Sequence, residues 1–172
     1  MAGGFRRKQY EKGLKNGLNR HSWAEHGVVL ALIMITVAML SGILDLVSLL
    51  FILWLSGLTA WLGYKFQQYQ LSVKKTDWQL YGAALKAGAW VWVAVLIYML
   101  GALIWGRGLP AFVYWIYVSM VLIGAGFAYN VYQSSKQNGR WANKLWSERV
   151  YIILTLVGAS ALAWQVFAGT LR

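Results

Sequence analysis

The sequence predicts an all-α fold, a polytopic membrane bundle of five transmembrane helices. Three observations carry that prediction. Five apolar stretches each approach the roughly 20 residues that cross a bilayer as a helix. Of the 172 residues 59% are hydrophobic and only five are acidic, more apolar surface than a soluble domain of this length can bury. The basic residues gather in the segments between apolar stretches, as bilayer topology requires.

Taken in order, residues 1–22 ("MAGGFRRKQYEKGLKNGLNRHS") form a basic tail, and 23–172 form a single transmembrane domain. The tail has no apolar core of the kind a cleavable signal peptide carries. The first span is expected over 23–42 and the second over 45–64. Between them "SGILD" is short enough only for a tight hairpin. Its Asp45 is placed to cap the second helix, with the carboxylate on free backbone N–H groups. A polar loop follows over 65–79, with Lys65, Lys74 and Lys75. The third span covers 80–105, and "GRGLP" turns the chain, with Pro110 suited to start a helix. The fourth span covers 110–132, the loop 133–149 carries Lys136, Arg140, Lys144 and Arg149, and the fifth span covers 149–170. The sequence shows neither an internal repeat nor a low-complexity segment.

The charge asymmetry sets an orientation. The tail and the loops 65–79 and 133–149 hold all of the 16 Lys and Arg except Lys86, Arg107 and Arg172. The positive-inside rule then places the N-terminus in the cytoplasm and the C-terminus outside, in the plasma (inner) membrane. The net charge of +11 is distributed as membrane topology distributes it, so no nucleic-acid partner is expected. The lipid bilayer is the expected partner, with a homo-oligomer or a cytoplasmic protein on the basic loops as further possibilities. Zero cysteines exclude disulfides and thiolate metal sites. Paired carboxylates, a metal-ligand cluster and an activated nucleophile are all missing from the spans, so no enzyme is expected. A channel or transporter would need a polar path, and only Glu25 and Lys86 offer themselves. Lys86, near the cytoplasmic end of the third span, either snorkels to the headgroups, pairs with an acid, or serves as an amine for covalent chemistry.

Trp and Tyr number 11 and 10. Those at span ends, such as Trp23, Trp61, Tyr64, Trp78, Trp105 and Trp146, read as an interfacial belt. Trp90, Trp92, Tyr98, Trp115, Tyr117 and Trp164 lie deeper and either pack between helices or line a pocket. Small residues such as Gly82, Gly88, Gly124, Gly126, Gly158 and Ala161 allow close helix contacts.

Several stretches together resemble the heliorhodopsins, retinal proteins with an inverted membrane orientation. "SERVYIILTLV" and "SALAWQVFAGTL" look like the family's last loop and final helix, and "LPAFVY" is similar to the opening of an earlier one. "SWAEHG" resembles a Trp-x-Glu stretch whose glutamate is the Schiff-base counterion, and "GILDLVSLL" falls at the matching distance beyond it. "VLIYML" matches more weakly, and "FRRKQYEKGLKN" is similar to the loop before the family's third helix. The family has seven helices, and this chain looks like helices three to seven. The resemblance therefore implies one of three things. The start of the protein lies upstream, another chain or a second copy supplies two helices, or five helices have repacked.

The resemblance places the retinal lysine immediately before "SALAWQ", where this chain has Ala159. An alanine has no amine and forms no Schiff base. The ligand-binding set implied by the resemblance is Glu25, Trp92, Tyr114, Thr155, Ala159 and Trp164, with retinal as the family's cofactor but no covalent attachment. Glu25 holds the counterion position or plays an interfacial, helix-starting role. Without a Schiff base it is either protonated or paired with His26, His21 or Arg20. Thr155 shares a helical face with Ala159 and lines the pocket or bonds back to the preceding turn. The function expected is that of a heliorhodopsin-like protein of light-sensing or regulatory ancestry, now a non-covalent ligand-binding or signalling homologue. The alternative is a membrane scaffold or interaction subunit with no chromophore.

Overall fold

The computed structural model describes residues 20–73, 75–106 and 108–171. The described residues form helices and turns, without a strand. Five helices are long and apolar enough to cross a membrane: α1 (Arg20–Leu40), α2 (Leu46–Val73), α3 (Trp78–Trp105), α4 (Ala111–Lys136) and α5 (Lys144–Thr170). The protein is a multi-pass membrane bundle, as its composition dictates. Most of the expected basic tail, residues 1–19, lies outside the described residues, while residues 20–22 open α1.

The helix ends correct the expected loops. The segment read as a polar loop over 65–79 is mostly helix, because α2 runs on to Val73 and α3 starts at Trp78. The loop expected over 133–149 shrinks likewise: α4 reaches Lys136, a 3-10 turn occupies Gly139–Ala142, and α5 begins at Lys144. Charge marks where the bilayer ends, but a helix with Gln-rich, non-branched residues continues into water. These extensions are anchored. The Trp23 indole donates to the Gln67 side chain, and the Gln70 amide donates to the Ser135 carbonyl at 2.9 Å.

The turns follow local chemistry. Asp45 accepts from the Ser48 N–H at 2.8 Å at the start of α2, as its sequence position suggested. Asp77 accepts from the N–H groups of Gln79 and Leu80 and caps α3. Pro110 sits immediately before α4 and Asn143 caps α5. Gly42 and Gly108 take φ of 92° and 73° in the two turns at the far end, a region that disfavours a side chain.

Two kinds of contact hold the bundle. Within α1, α2 and α3, glycines bring helices close: Gly27 lies against Ala60, Gly63 under the Trp23 ring, and Gly88 against Thr59. The same device joins α4 to α5, through Gly126 with Leu154 and Gly158 with Ile123. Between these two groups of helices lies an apolar centre, where Val37, Ile52, Val91 and Val95 meet Val113, Ile116, Met120 and Leu162. The outer faces stay apolar, with Val47, Trp90, Trp115 and Leu156 exposed to the bilayer.

Candidate functional site

Chemistry-bearing side chains concentrate where α1, α4 and α5 converge near the basic end. The His26 ring sits 4.9 Å from Phe127 and 5.0 Å from Tyr151, with Trp23 edge-on at 5.9 Å. Phe127 and Tyr151 themselves pack T-shaped at 5.4 Å. His26 makes no hydrogen bond among the described residues. Its imidazole is thus held by three aromatic rings instead of by a carboxylate. Glu25 and Glu148 both lie within electrostatic reach of the Tyr151 hydroxyl.

Beneath this cage the basic end is hydrogen-bonded. Asn130, 2% exposed, accepts from the Trp141 indole at 2.8 Å and from the Ser147 hydroxyl at 3.3 Å. Its amide donates to the Ser147 carbonyl at 3.0 Å. Every group of the Asn130 side chain is engaged, and the α4–α5 connection is tied to the bundle. A small cavity of about 50 Å³ opens beside it, lined among others by Gln67, Gln70, Ser134, Ser135, Glu148 and Tyr151.

The residues singled out from the sequence are spread through the bundle. Glu25 is exposed and makes no ion pair among the described residues; its neighbour His26 turns into the aromatic cage instead of pairing with it. The side chains of Arg20 and His21 lie outside the described surroundings. Thr155 donates to the Tyr151 carbonyl at 3.0 Å, the back-bonded arrangement. Ala159 lies one turn further along α5 and is exposed, beside the buried Gly158. Trp92 is half-buried against Tyr117, 6.2 Å between rings, and the Tyr117 hydroxyl bonds Ser41. Tyr114 sits at the far end, its hydroxyl accepting from the Leu109 N–H at 3.3 Å. Trp164 is 70% exposed and packs edge-on to Phe167. Glu25 and Thr155 thus share the neighbourhood of Tyr151, while Trp92, Tyr114 and Trp164 do not reach it. Lys86 is exposed on α3.

A family model described as heliorhodopsin matches residues 2–171. The chain belongs to the heliorhodopsin family. No curated protein matches it. The heliorhodopsin match extends over every described helix, so the five-helix bundle is a rhodopsin-like membrane architecture throughout. Tyr151 was the residue most open to discovery in this heliorhodopsin sequence, because Tyr151, Thr155 and Ala159 recur every four residues on one face of α5. Phe127 and Asn130 carried no comparable signal, since only the packing of α4 brings them to the site.

The family's cofactor tests poorly against the covalent site implied by the resemblance. Ala159 offers no amine, and the residue is exposed. No step through a Schiff base is available at that position.

Proposed function

We propose that this heliorhodopsin-family chain acts by non-covalent ligand binding or by signalling through its helices, without a Schiff-base chromophore. It would sit in the plasma membrane with its N-terminus and basic loops in the cytoplasm, and it would catalyse no reaction. The observation that carries this reading is the alanine at 159, where the resemblance puts the lysine. Glu25 and Thr155, both beside Tyr151, support it as polar groups at the site that the resemblance implies. The Asn130 lock gives the site a route to the basic connection between α4 and α5.

The test is the visible absorption of purified protein with all-trans retinal, wild type against Ala159→Lys. The expected result is a red-shifted band in the mutant alone, meaning that the pocket survives without its anchor. A shifted band in wild type would overturn the reading and assign another amine, Lys86 first. A folded mutant with no band would overturn the idea of a surviving pocket and favour a scaffold subunit.

A further inference from the structure

A groove of about 730 Å³ lies between α1 and α2 and opens sideways to the bilayer. Its volume lies in the range of pockets that hold small molecules. Its floor is the Gly27–Ala60 contact, and Ala24, Val28, Leu32, Leu53 and Gly57 wall it. From Leu53 to Gln68 the groove runs roughly 22 Å along α2, at 1.5 Å per residue. The walls are apolar for most of that length and become polar only at the basic end.

At that end three donors meet: the Tyr64 hydroxyl, the Lys65 ammonium and the Gln68 amide. None of these side chains makes a hydrogen bond or ion pair among the described residues. Lys65 is instead steadied over the Trp61 ring, 5.6 Å from its centroid. No carboxylate lines the groove. An elongated apolar trough headed by a cation and two unengaged donors at the membrane edge matches one chemistry: an acyl chain carrying a negatively charged phosphate headgroup.

We infer that the α1–α2 groove binds an anionic phospholipid, with its headgroup on Tyr64, Lys65 and Gln68 and a chain along Gly27, Gly57 and Leu53. The site is independent of the retinal question, because none of its walls belongs to α5.

The test is mass spectrometry of lipid retained by the whole chain purified from vesicles of equal phosphatidylglycerol and phosphatidylcholine. Wild type should retain phosphatidylglycerol about fivefold over phosphatidylcholine, which is what about 1 kcal/mol for one lysine at the surface corresponds to. Lys65→Gln should abolish that preference while lipid is still retained. Lys136→Gln is the control for overall positive charge, since Lys136 lies on α4 over Tyr132, and it should leave the preference unchanged. Gly57→Leu should expel lipid of both kinds; a Cβ at Gly57 meets nothing within 4 Å, so the added side chain starts out into the open groove. Equal retention of both lipids by wild type would overturn the inference, as would equal losses from Lys65→Gln and Lys136→Gln. A Gly57→Cys variant, in a chain without native cysteine, should stay monomeric under oxidation. A disulfide-linked dimer would assign the groove to a second copy instead. Should Gly57→Leu fail to fold, the two lysine variants decide alone.

Discussion

Gly63 is confined to a hydrogen by the indole above it. A Cβ there would stand 2.6 Å from Cζ3 of Trp23, and the Trp23 ring is fixed in turn by its bond to Gln67 and by its contacts with His26 and Tyr151. The far end of that side chain has little room to yield. Gly63→Ala should therefore cost about 1–3 kcal/mol in detergent unfolding, the range for overpacking a tight interior. Adding Trp23→Phe to it should recover part of the loss, and a lone Gly63→Ala with wild-type stability would refute the contact. Asp45 gives a pH dependence. The Ser48 backbone N–H, then its hydroxyl, hold the Asp45 carboxyl below its ordinary value of 3.8. A depressed folded value means that the stabilisation is present above the unfolded value and drains away as pH falls through the folded one. Between about pH 4 and lower values, Asp45→Asn should lose less stability than wild type, because an asparagine caps without titrating. Parallel acid limbs for the two proteins would show that the bond contributes nothing. Asp45 was legible from "SGILD" alone, as was the choice of roles open to Thr155. The His26 cage was not, because its partners Phe127 and Tyr151 arrive from distant helices and no local spacing announces them.

At the scale of the element, every helix was legible and several ends were not. The apolar runs set the number of helices because the bilayer demands internally bonded backbone. Nothing in that demand says where a helix stops once it reaches water. α2 continues nine residues past the expected 64, to Val73, because Gln67 and Gln70 find partners on α1 and α4 that make the extra turns part of the bundle. The following helix then needs an abrupt start, and Asp77 provides it. Asp77→Ala frees the Gln79 and Leu80 amides and should cost about 1 kcal/mol. Hydrogen exchange should quicken at those two amides, with α4 amides unchanged. Exchange that quickens equally across both helices would mean global loosening instead of a lost cap.

For the whole molecule, charge was enough to propose an orientation, and the helices supply the sites to check it. The α2–α3 and α4–α5 connections lie at one end, and the Gly42 and Gly108 turns at the other. Single cysteines at Lys75 and Asn138 should react with an impermeant maleimide only after cells are opened, whereas one at Leu44 should react on intact cells. The reverse pattern would invert the proposed topology. What the sequence could not convey at this scale is that the bundle has two halves, each closed by glycine contacts. Backbone-close glycine contacts weld α1, α2 and α3 together, and likewise α4 to α5. Between them the contacts are apolar at mid-depth and pairwise elsewhere: Tyr117 with Ser41, Tyr81 with the Ala128 carbonyl at 2.8 Å, Trp78 with Tyr132, and the rings around His26. A hinge follows from this construction. A roll of the two slabs against each other would have to exchange the Tyr117–Ser41, Tyr81–Ala128 and Gln70–Ser135 hydrogen bonds, the ring contacts and part of the apolar centre, but not a single glycine weld. His26 stands on the rolling line like a pin. The Asn130 lock moves wholly with one slab, so any tilt of α5 would swing the basic connection at Arg140 as a lever arm.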